Sequence, residues 1–370
     1  MKALREKIEH EIHTLGPIPF SRYMEMCLYD EELGYYASHA DQFGKAGDFY
    51  TSSDVHAVFG RLMARQFEEM WRVLGSPNPL ILLELGPGRG LFARDVLDWS
   101  AKKFPDFFAA VRYRLGEKST ALRERLEQNL ARHFESGRVS FSRDDTFLCH
   151  HIVFANEFFD ALPVEVLSSQ GSLRIDTRDG RFIETWARAS PEELEFLDRY
   201  SIHPEPGERI EVATQSQLYL SHAAKLDRGF LIVIDYGYTR DEQLAGRHRG
   251  TLKAIRQHSV SANPYEAPGE QDITADVNFT ALAAAAEQRG MKAHKLVTQS
   301  QFLMGIGEAN QFADAFEDCR LPQERAKVAL QLKHLVTPAG MGESFHVLVA
   351  SKGVDPEKAS RLAGLSFGRR

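Results

Sequence analysis

The chain has 370 residues, of which 43% are hydrophobic and 26% are charged, a composition typical of globular proteins. The formal net charge of −7 excludes a generic basic nucleic-acid coat, and no apolar run reaches the length of a membrane-spanning helix. Three dispersed cysteines, Cys27, Cys149 and Cys319, exclude a disulfide framework and a cysteine-pair zinc site. We therefore expect one enlarged domain or two domains in a reducing compartment, the cytoplasm.

The first 76 residues predict a helical extension that covers a site in the rest of the chain. Apolar residues at helical spacing predict an amphipathic helix over 1–15, and an irregular, aromatic-rich segment follows over 16–53. A second apolar stripe over 55–74 predicts a long buried helix. Thr51 and Ser52 precede this stripe, where hydroxyl groups either cap a helix or help its N-terminus to bind a polar ligand. We expect both residues to contact a cofactor.

The most specific motif follows the first predicted strand. This apolar run, 80–84, ends in Glu84, and three glycines then stand at alternate positions before a helical pattern begins at Leu91. These glycines are Gly86, Gly88 and Gly90. A dinucleotide fingerprint would need glycine where Leu91 stands, whereas E-x-G-x-G-x-G is the pattern of S-adenosylmethionine sites. We expect the glycines to let backbone approach the cofactor, and Glu84 to accept from its ammonium group.

Alternating strand and helix patterns predict a doubly wound parallel sheet, in which ligands lie beyond the carboxyl ends of the strands. The predicted strand 111–116 is followed by Glu117, and the predicted strand 139–141 is followed by Asp144 and Asp145. We expect Glu117 to bind the ribose hydroxyl groups, and Asp144 or Asp145 to contact adenine. The alternative is that these acids stabilise a helix N-terminus or a turn.

A candidate transfer site follows the predicted strand 151–155. Asn156 and Glu157 end this strand, and Asp160 lies three residues further along. In a methyltransferase, two carboxylates beside a nitrogen acceptor would orient a guanidinium, whose planar fork matches carboxylates. We therefore predict Glu157, Asp160 and Asn156 as catalytic residues, with Asn156 also contacting the cofactor. Asp235, at the end of the next sheet strand, is a fourth candidate, although Asp160 could also be a helix cap and Asp235 a turn residue.

Two segments interrupt the sheet pattern. Near 164–210, an Asp-Gly turn at 179–180 predicts an inserted β-hairpin. Near 239–275, polar sequence with several glycines and prolines predicts a long loop. His258 lies in this second insertion, and the 14 histidines show no metal-ligand spacing, so we predict no metal.

The last part of the chain predicts a helix, a strand, a helical region and a final strand. Their predicted bounds are 276–289, 292–297, 308–335 and 345–350. We predict a methyltransferase domain over 77–354 and a basic tail over 355–370 that frays.

Several motifs run in order along nearly the whole chain. They lie at 16–20, 34–36, 47–52, 84–90, 156–163, 234–237, 250–252, 268–269, 272–279, 298–299 and 341–343. Together they resemble the MidA-like methyltransferase family, whose mitochondrial members assist the assembly of respiratory complex I. The resemblance implies a class I α/β fold with a Rossmann-like seven-stranded sheet, the last strand inserted antiparallel beside the sixth. It also implies protein arginine N-methylation, which in the mitochondrial members is symmetric dimethylation of a complex I core subunit.

The predicted function is therefore methyl transfer from S-adenosylmethionine, with S-adenosylhomocysteine as product, to a protein that presents an arginine. Two alternatives stay open: methylation of a small molecule or another amine, and a cofactor-binding assembly chaperone with little catalysis. A DNA-base methyltransferase would need Asn/Asp-Pro-Pro-aromatic where this chain has Asn-Glu-Phe-Phe at 156–159. We expect neither nucleic acid nor a membrane as partner, and homodimer formation stays open. The eukaryotic members of the family are mitochondrial.

Overall fold

The computed structural model describes residues 2–38, 57–142, 150–256, 259–261 and 263–368. The helices are α1 (Lys2–Leu15), α2 (Phe20–Tyr29), α3 (Tyr35–Ser38), α4 (Ala57–Val73), α5 (Leu91–Lys103), α6 (Pro105–Ala110), α7 (Thr120–Asn129), α8 (Ala131–Glu135), α9 (Pro191–Tyr200), α10 (Thr214–Ala223), α11 (Arg240–Leu244), α12 (Phe279–Gln288), α13 (Gln299–Glu308), α14 (Ala313–Phe316), α15 (Pro322–Val336) and α16 (Pro356–Ser360), followed by a 3-10 turn (Ala363–Leu365). The strands are β1 (Ile18–Pro19), β2 (Leu80–Leu85), β3 (Val111–Gly116), β4 (Val139–Phe141), β5 (Ile152–Asn156), β6 (Glu165–Ser168), β7 (Gly171–Arg178), β8 (Arg181–Ala187), β9 (Ile210–Val212), β10 (Gly229–Tyr238), β11 (Lys253–Arg256), β12 (Ser259–Ser261), β13 (Asp272–Thr274), β14 (Val277–Asn278), β15 (Lys292–Ala293), β16 (Val297–Thr298) and β17 (Phe345–Lys352).

The chain forms two compact units, each assembled from three separate segments. Unit 1 comprises Met1–Phe49, Phe158–Leu220 and Gly237–Ala285, and unit 2 comprises Tyr50–Glu157, Ser221–Tyr236 and Ala286–Arg370. The division at 76/77 and 354/355 that we predict from the sequence stays a prediction, and it cuts the chain at other points than these units do.

A mixed sheet lies at the centre of unit 2. Its strand order is β15-β17-β10-β5-β2-β3-β4, and β16 also pairs with β17. Strands β10, β5, β2, β3 and β4 run parallel, whereas β17 is antiparallel to both β10 and β15. If β15 and β16 are counted as one interrupted strand, this is the predicted seven-stranded order, and the prediction of the fold class is confirmed.

The core of unit 2 packs α4 and α5 against one face of this sheet. The Phe92 ring stacks on Phe154 with ring centres 4.7 Å apart, and Phe67 meets Phe154 edge-on at 5.5 Å. A Cβ atom at Gly60 would lie 2.7 Å from the Asp95 Cβ, so glycine permits the close approach of the two helices. The apolar stripe that predicts a buried helix over 55–74 is therefore confirmed for its described part.

The segment after β17 is also part of unit 2. Leu362 is 1% exposed, and the backbone N–H groups of Ala363 and Gly364 donate to Glu69 and Gln66 of α4, each at 2.9 Å. The expectation that the tail frays is wrong for this segment. Apolar residues stand between its basic residues and pack on the core. The net charge of the segment is therefore a poor guide to whether it is folded.

Unit 1 contains two small antiparallel sheets. One has the order β1-β7-β6-β9 with β8 on β7, and the other has the order β12-β11-β13. Asp179 and Gly180 join β7 to β8 with φ of 51° and 68°, as a two-residue hairpin turn requires, so the predicted hairpin is confirmed.

Three segments differ from the sequence prediction. Segment 239–275 contains α11 and a three-stranded sheet rather than a long loop. The buried carboxylate of Glu211 accepts from the backbone N–H groups of Thr251 and Leu252 and thereby fixes the chain just before β11. Segment 20–29 is helix α2 rather than irregular, because its buried aromatic and sulfur-containing residues recur at helical spacing. Helix α13 begins nine residues before the predicted start of that helical region at 308.

Candidate functional site

The carboxyl ends of four parallel strands bring most of the predicted site residues together. In the sheet register, Leu85 of β2 lies between Gly116 of β3 and Ala155 of β5. Gly86, Glu117 and Asn156 come directly after these three residues and are therefore neighbours at one edge of the sheet. Asn156 is in turn paired with Ile234 of β10. The residues of this edge, in sheet order, are Glu117, Gly86, Asn156 with Glu157, and Asp235.

The glycine loop begins at this edge. Gly86, Gly88 and Gly90 all have left-handed backbone, with φ of 61°, 51° and 75°, which favours glycine. A Cβ atom at Gly88 would meet no atom of the described residues within 4 Å, whereas a Cβ atom at Gly90 would lie 2.7 Å from Leu126. Gly90 therefore serves close packing at the start of α5, and Gly88 leaves backbone accessible beside open space.

Glu84 is buried just before this loop. Its Oε2 accepts a hydrogen bond from the Tyr113 hydroxyl at 2.9 Å, and both residues are at most 5% exposed. Burial raises the pKa of Glu84 to about 8, although the bond from Tyr113 acts in the opposite direction. The hydrogen-bond partner of this carboxyl group is thus a neutral hydroxyl. A cationic ligand group buried beside Glu84 would stabilise its carboxylate form.

Glu117 follows β3 and is half-buried. Its carboxylate accepts from the backbone N–H of Ser119 at 2.8 Å, and Ser119 caps α7. Burial raises the pKa of Glu117, and the backbone N–H groups lower it by a smaller amount. One carboxylate oxygen thus supports the helix start, which is the alternative role, and ribose binding stays a prediction.

Asn156 ends β5, and Glu157 follows it in strained backbone. Glu157 has φ of 49°, and its backbone N–H continues the sheet by donating to Ile234 at 3.0 Å. The Asn156 side-chain amide donates to the Glu157 carboxylate at 3.1 Å. The Asn156 Oδ1 is buried and has no hydrogen-bond partner among the described residues. An acceptor oxygen is therefore available beside the glycine loop.

Asp235 lies within β10 rather than at its end, because the strand continues to Tyr238 and pairs there with β14. Asp235 is fully buried, is in register with His346 of β17, and accepts from the Tyr236 backbone N–H at 3.0 Å. It adjoins Glu157 at the sheet edge, and its catalytic role stays a prediction.

Asp160 belongs to unit 1 and is 6% exposed. Its backbone carbonyl accepts from the Ala275 N–H at 2.9 Å, which places it beside β13. Burial and the nearby acids Asp272 and Asp160 raise the pKa of Tyr36 well above its usual value, and the Tyr36 hydroxyl donates to Asp272 at 3.1 Å. Asp160 therefore lies in an acidic, aromatic environment, which suits a cationic acceptor.

A family model described as "Putative S-adenosyl-L-methionine-dependent methyltransferase" matches residues 62–297, which is more than half of the chain. The chain belongs to this family of S-adenosylmethionine-dependent methyltransferases. The family that the sequence motifs resemble and the cofactor that the glycine loop predicts are thereby confirmed.

Named relatives resemble the methyltransferase over most of its length. The protein arginine methyltransferase NDUFAF7 homolog of Drosophila melanogaster, a mitochondrial protein, is 30% identical, with 95% of this chain and 85% of that protein covered. Human NDUFAF7, also named a mitochondrial protein arginine methyltransferase, is 28% identical, with 91% of this chain and 80% of that protein covered.

One solved structure resembles the whole methyltransferase. A "likely methyl transferase" from Burkholderia thailandensis, crystallised with S-adenosylhomocysteine, has a TM-score of 0.86 and 28% identity. The match covers 99% of this chain and 95% of that one. The relation therefore extends to both compact units and is not confined to the sheet.

The residues at the sheet edge of the methyltransferase fit its cofactor. S-adenosylmethionine carries an ammonium group and ribose hydroxyl groups, all hydrogen-bond donors. The edge offers as acceptors the buried Glu84 carboxyl group, the Glu117 carboxylate and the Asn156 Oδ1, which has no partner in the described part of the chain. Open space at Gly88 leaves room for a ligand to approach the backbone.

Several predicted site residues lie outside the described residues. They are Thr51, Ser52, Asp144 and Asp145. His258, to which the sequence assigns no role in the site, also lies outside the described residues. Within the described ranges, no group of three or more histidine, cysteine or acidic side chains could hold a metal ion, and no helix is long and apolar enough to cross a membrane.

Sequence reasoning missed two tyrosines of the methyltransferase, one that contacts a predicted site residue and one that contacts a neighbour of a predicted site residue. Tyr113 donates to Glu84, and Tyr219 of α10 packs against Phe158 with ring centres 5.0 Å apart. A hydroxyl-bearing residue in the middle of a buried strand is a weak signal for Tyr113. No pattern in α10 indicates Tyr219, because its partner is 61 residues away.

Proposed function

We propose that this methyltransferase modifies an arginine guanidinium of a partner protein. The observation that carries the proposal is Glu157, held in left-handed backbone at the sheet edge, with the buried Asp160 three residues further along. The names of the fly and human relatives support the same acceptor class.

The roles of the residues follow from their chemistry. When bound, S-adenosylmethionine supplies a methyl group on a positively charged sulfur. Glu84, Glu117 and Asn156 would hold this cofactor by accepting hydrogen bonds. Glu157 and Asp160 would orient the planar guanidinium and stabilise positive charge on the nitrogen that does not react. Asp235, adjacent to Glu157, would add negative charge at the same edge.

An aromatic cluster beside Asp160 would keep the acceptor in dry surroundings. Phe158 and Phe159 are perpendicular with ring centres 5.3 Å apart, and Tyr219 packs on both rings. Exclusion of water strengthens the attraction between carboxylates and a cation.

The experiment supplies a methyl-labelled cofactor to the purified protein together with a cell lysate. Acid hydrolysis of the protein fraction should yield labelled methylarginine, and Glu157→Gln should reduce the yield at least ~100-fold. Binding of S-adenosylhomocysteine to Glu157→Gln within about threefold of wild type is the control.

Other outcomes identify the alternatives. Label confined to small molecules would replace the proposal with the small-molecule methyltransferase. Cofactor binding without any labelled product would favour the assembly chaperone. A cytoplasmic location, the lack of a nucleic-acid or membrane partner, and the oligomeric state remain predictions from the sequence.

A further inference from the structure

Glu84 and Tyr113 form an isolated buried pair. Glu84 lies on β2 and Tyr113 on the neighbouring β3, and the hydroxyl-to-carboxyl distance is 2.9 Å. Within the described part of the chain, Tyr113 is the one hydrogen-bond partner of the Glu84 carboxyl group. Glu84 lies two residues before Gly86, where the cofactor loop begins.

Apolar side chains cover this pair from the neighbouring elements. β5 places Phe154 in register with Glu84, and Phe67 of α4 and Phe92 of α5 pack on the Phe154 ring. Leu115 of β3 is in register with Glu84 on the other side and is fully buried.

Other acids on the covering helices have partners elsewhere. Glu69 of α4 accepts from Gln66 and from the Ala363 N–H. Asp95 of α5 is influenced by Arg94, Asp98 and Arg61 rather than by Glu84. Among the described residues, Tyr113 is therefore the titratable group that faces Glu84.

We propose that Tyr113 positions Glu84 for the ammonium group of the cofactor, and that cofactor binding releases a proton from Glu84. The inference rests on the proposed use of Glu84 in cofactor binding. A buried carboxyl group beside a neutral hydroxyl favours its protonated form, whereas a bound ammonium favours the carboxylate. The O–H bond of the carboxyl group breaks, the carboxylate pairs with the ammonium, and the proton passes to the solvent.

Calorimetry measures this proton directly. S-adenosylhomocysteine is titrated into the full-length protein in two buffers of different ionisation enthalpy. Because burial raises the pKa of Glu84 to about 8, we expect release of ~0.9 proton per cofactor at pH 7 and about half a proton at pH 8. Affinity should rise about tenfold from pH 6 to pH 7.

The variant Tyr113→Phe tests the positioning role. Loss of the hydroxyl removes a hydrogen bond that favours the carboxylate, so half-maximal proton release should move upward by about one pH unit. Affinity for S-adenosylhomocysteine at pH 7 should fall about tenfold. Glu84→Gln should bind without releasing a proton and without this pH dependence.

5′-Methylthioadenosine is the matched control ligand, because it lacks the amino-acid part and hence the ammonium group. It should bind wild type and Tyr113→Phe equally and release no proton. Loss of this binding in Tyr113→Phe would indicate damage to the fold, and the wild-type proton count would then decide alone.

Release of less than ~0.2 proton by wild type at pH 7 would overturn the inference. Equal pH midpoints in wild type and Tyr113→Phe would overturn the role of Tyr113. Both results leave the proposed methyl transfer intact. Failure of wild type to bind either ligand would instead overturn the inference together with the proposed function.

Discussion

At the scale of single residues, Glu157 is the member of the site whose backbone is strained, with φ of 49°. Left-handed backbone costs a residue with a Cβ atom roughly 1–2 kcal/mol, and such strain tends to cluster at functional positions. The conformation is held by the Ile234 carbonyl and by the Asn156 amide. The strained position carries a carboxylate although glycine would fit its backbone better, which is the pattern expected where side-chain chemistry is needed.

Replacement of Glu157 by glycine should separate stability from activity. Glu157→Gly should raise the free energy of unfolding by ~0.5–1 kcal/mol, because relief of strain outweighs the added flexibility of the unfolded chain. It should also abolish methylarginine formation. Urea unfolding and the labelling assay measure the two effects, and Glu157→Gln, which keeps the Cβ atom, is the control. A less stable or fully active Glu157→Gly protein would contradict the prediction.

Glu84 should make stability depend on pH in a direction unusual for an acid. Its pKa in the folded state, about 8, is above the ordinary value of 4.5, so the folded state binds the extra proton between these pH values. The free energy of unfolding should therefore fall as pH rises from about 5 to 8. Glu84→Gln should match wild type near pH 5 and exceed its thermal stability by several degrees at pH 8.5 without cofactor. Parallel melting curves at all pH values would refute this.

At the scale of elements, two glycines of one loop should have different roles. Gly90→Ala should cost about 2–4 kcal/mol, because it combines left-handed strain with overlap against the buried Leu126. Gly88→Ala should cost only about 1 kcal/mol, since its methyl group enters open space. That methyl group should nevertheless weaken S-adenosylhomocysteine binding at least tenfold. Chemical unfolding and calorimetry of both variants provide the comparison, and equal stability losses would count against it.

The C-terminal segment should contribute to the stability of unit 2. Leu362→Ala should cost ~2–4 kcal/mol, because the removed side chain is almost fully buried in the core. Arg361→Ala, which removes a neighbouring side chain that is 81% exposed, should change stability by less than about 0.5 kcal/mol. Similar thermal stability of the two variants would mean that the tail frays after all.

The sequence predicts elements well where one physical signal dominates. Predicted strands 111–116 and 139–141 coincide with β3 and β4, and the Asp-Gly turn coincides with the β7–β8 hairpin. By contrast, α13 contains Gly305 and Gly307, which are poor helix formers, and a Cβ atom at Gly305 would lie 2.3 Å from the Ala363 carbonyl. The capping box of Thr298 and Gln301 is a local signal for the start of this helix, whereas its two glycines are accommodated by tertiary packing that no local pattern indicates.

The candidate site, too, has one part that the sequence predicts and one part that it does not. Strand ends predict that Glu117, Gly86, Asn156 and Glu157 share one edge, because the carboxyl ends of parallel strands coincide in space. The bond from Tyr113 to Glu84 depends on strand register and burial, which a single sequence does not specify.

At the scale of the whole molecule, neither compact unit corresponds to a continuous stretch of chain. Both units need segments from before and after residue 157. The fragment 1–157 should therefore lack a cooperative unfolding transition, because β2 to β5 would lack β10 and β17. Fragments 1–157 and 158–370, refolded together, should recover the transition in circular dichroism. A cooperative transition in the shorter fragment alone would contradict this prediction.

The position of β17 also affects how the protein can be made. This strand lies between β10 and β15, although the ribosome produces it after both. Until β17 emerges, the growing chain must leave one edge of β10 without its final partner, and that strand is almost wholly buried in the finished sheet. Uncovered apolar strand edges are sites of aggregation. Newly synthesised chains that stall before residue 345 should therefore depend on chaperones more strongly than completed ones.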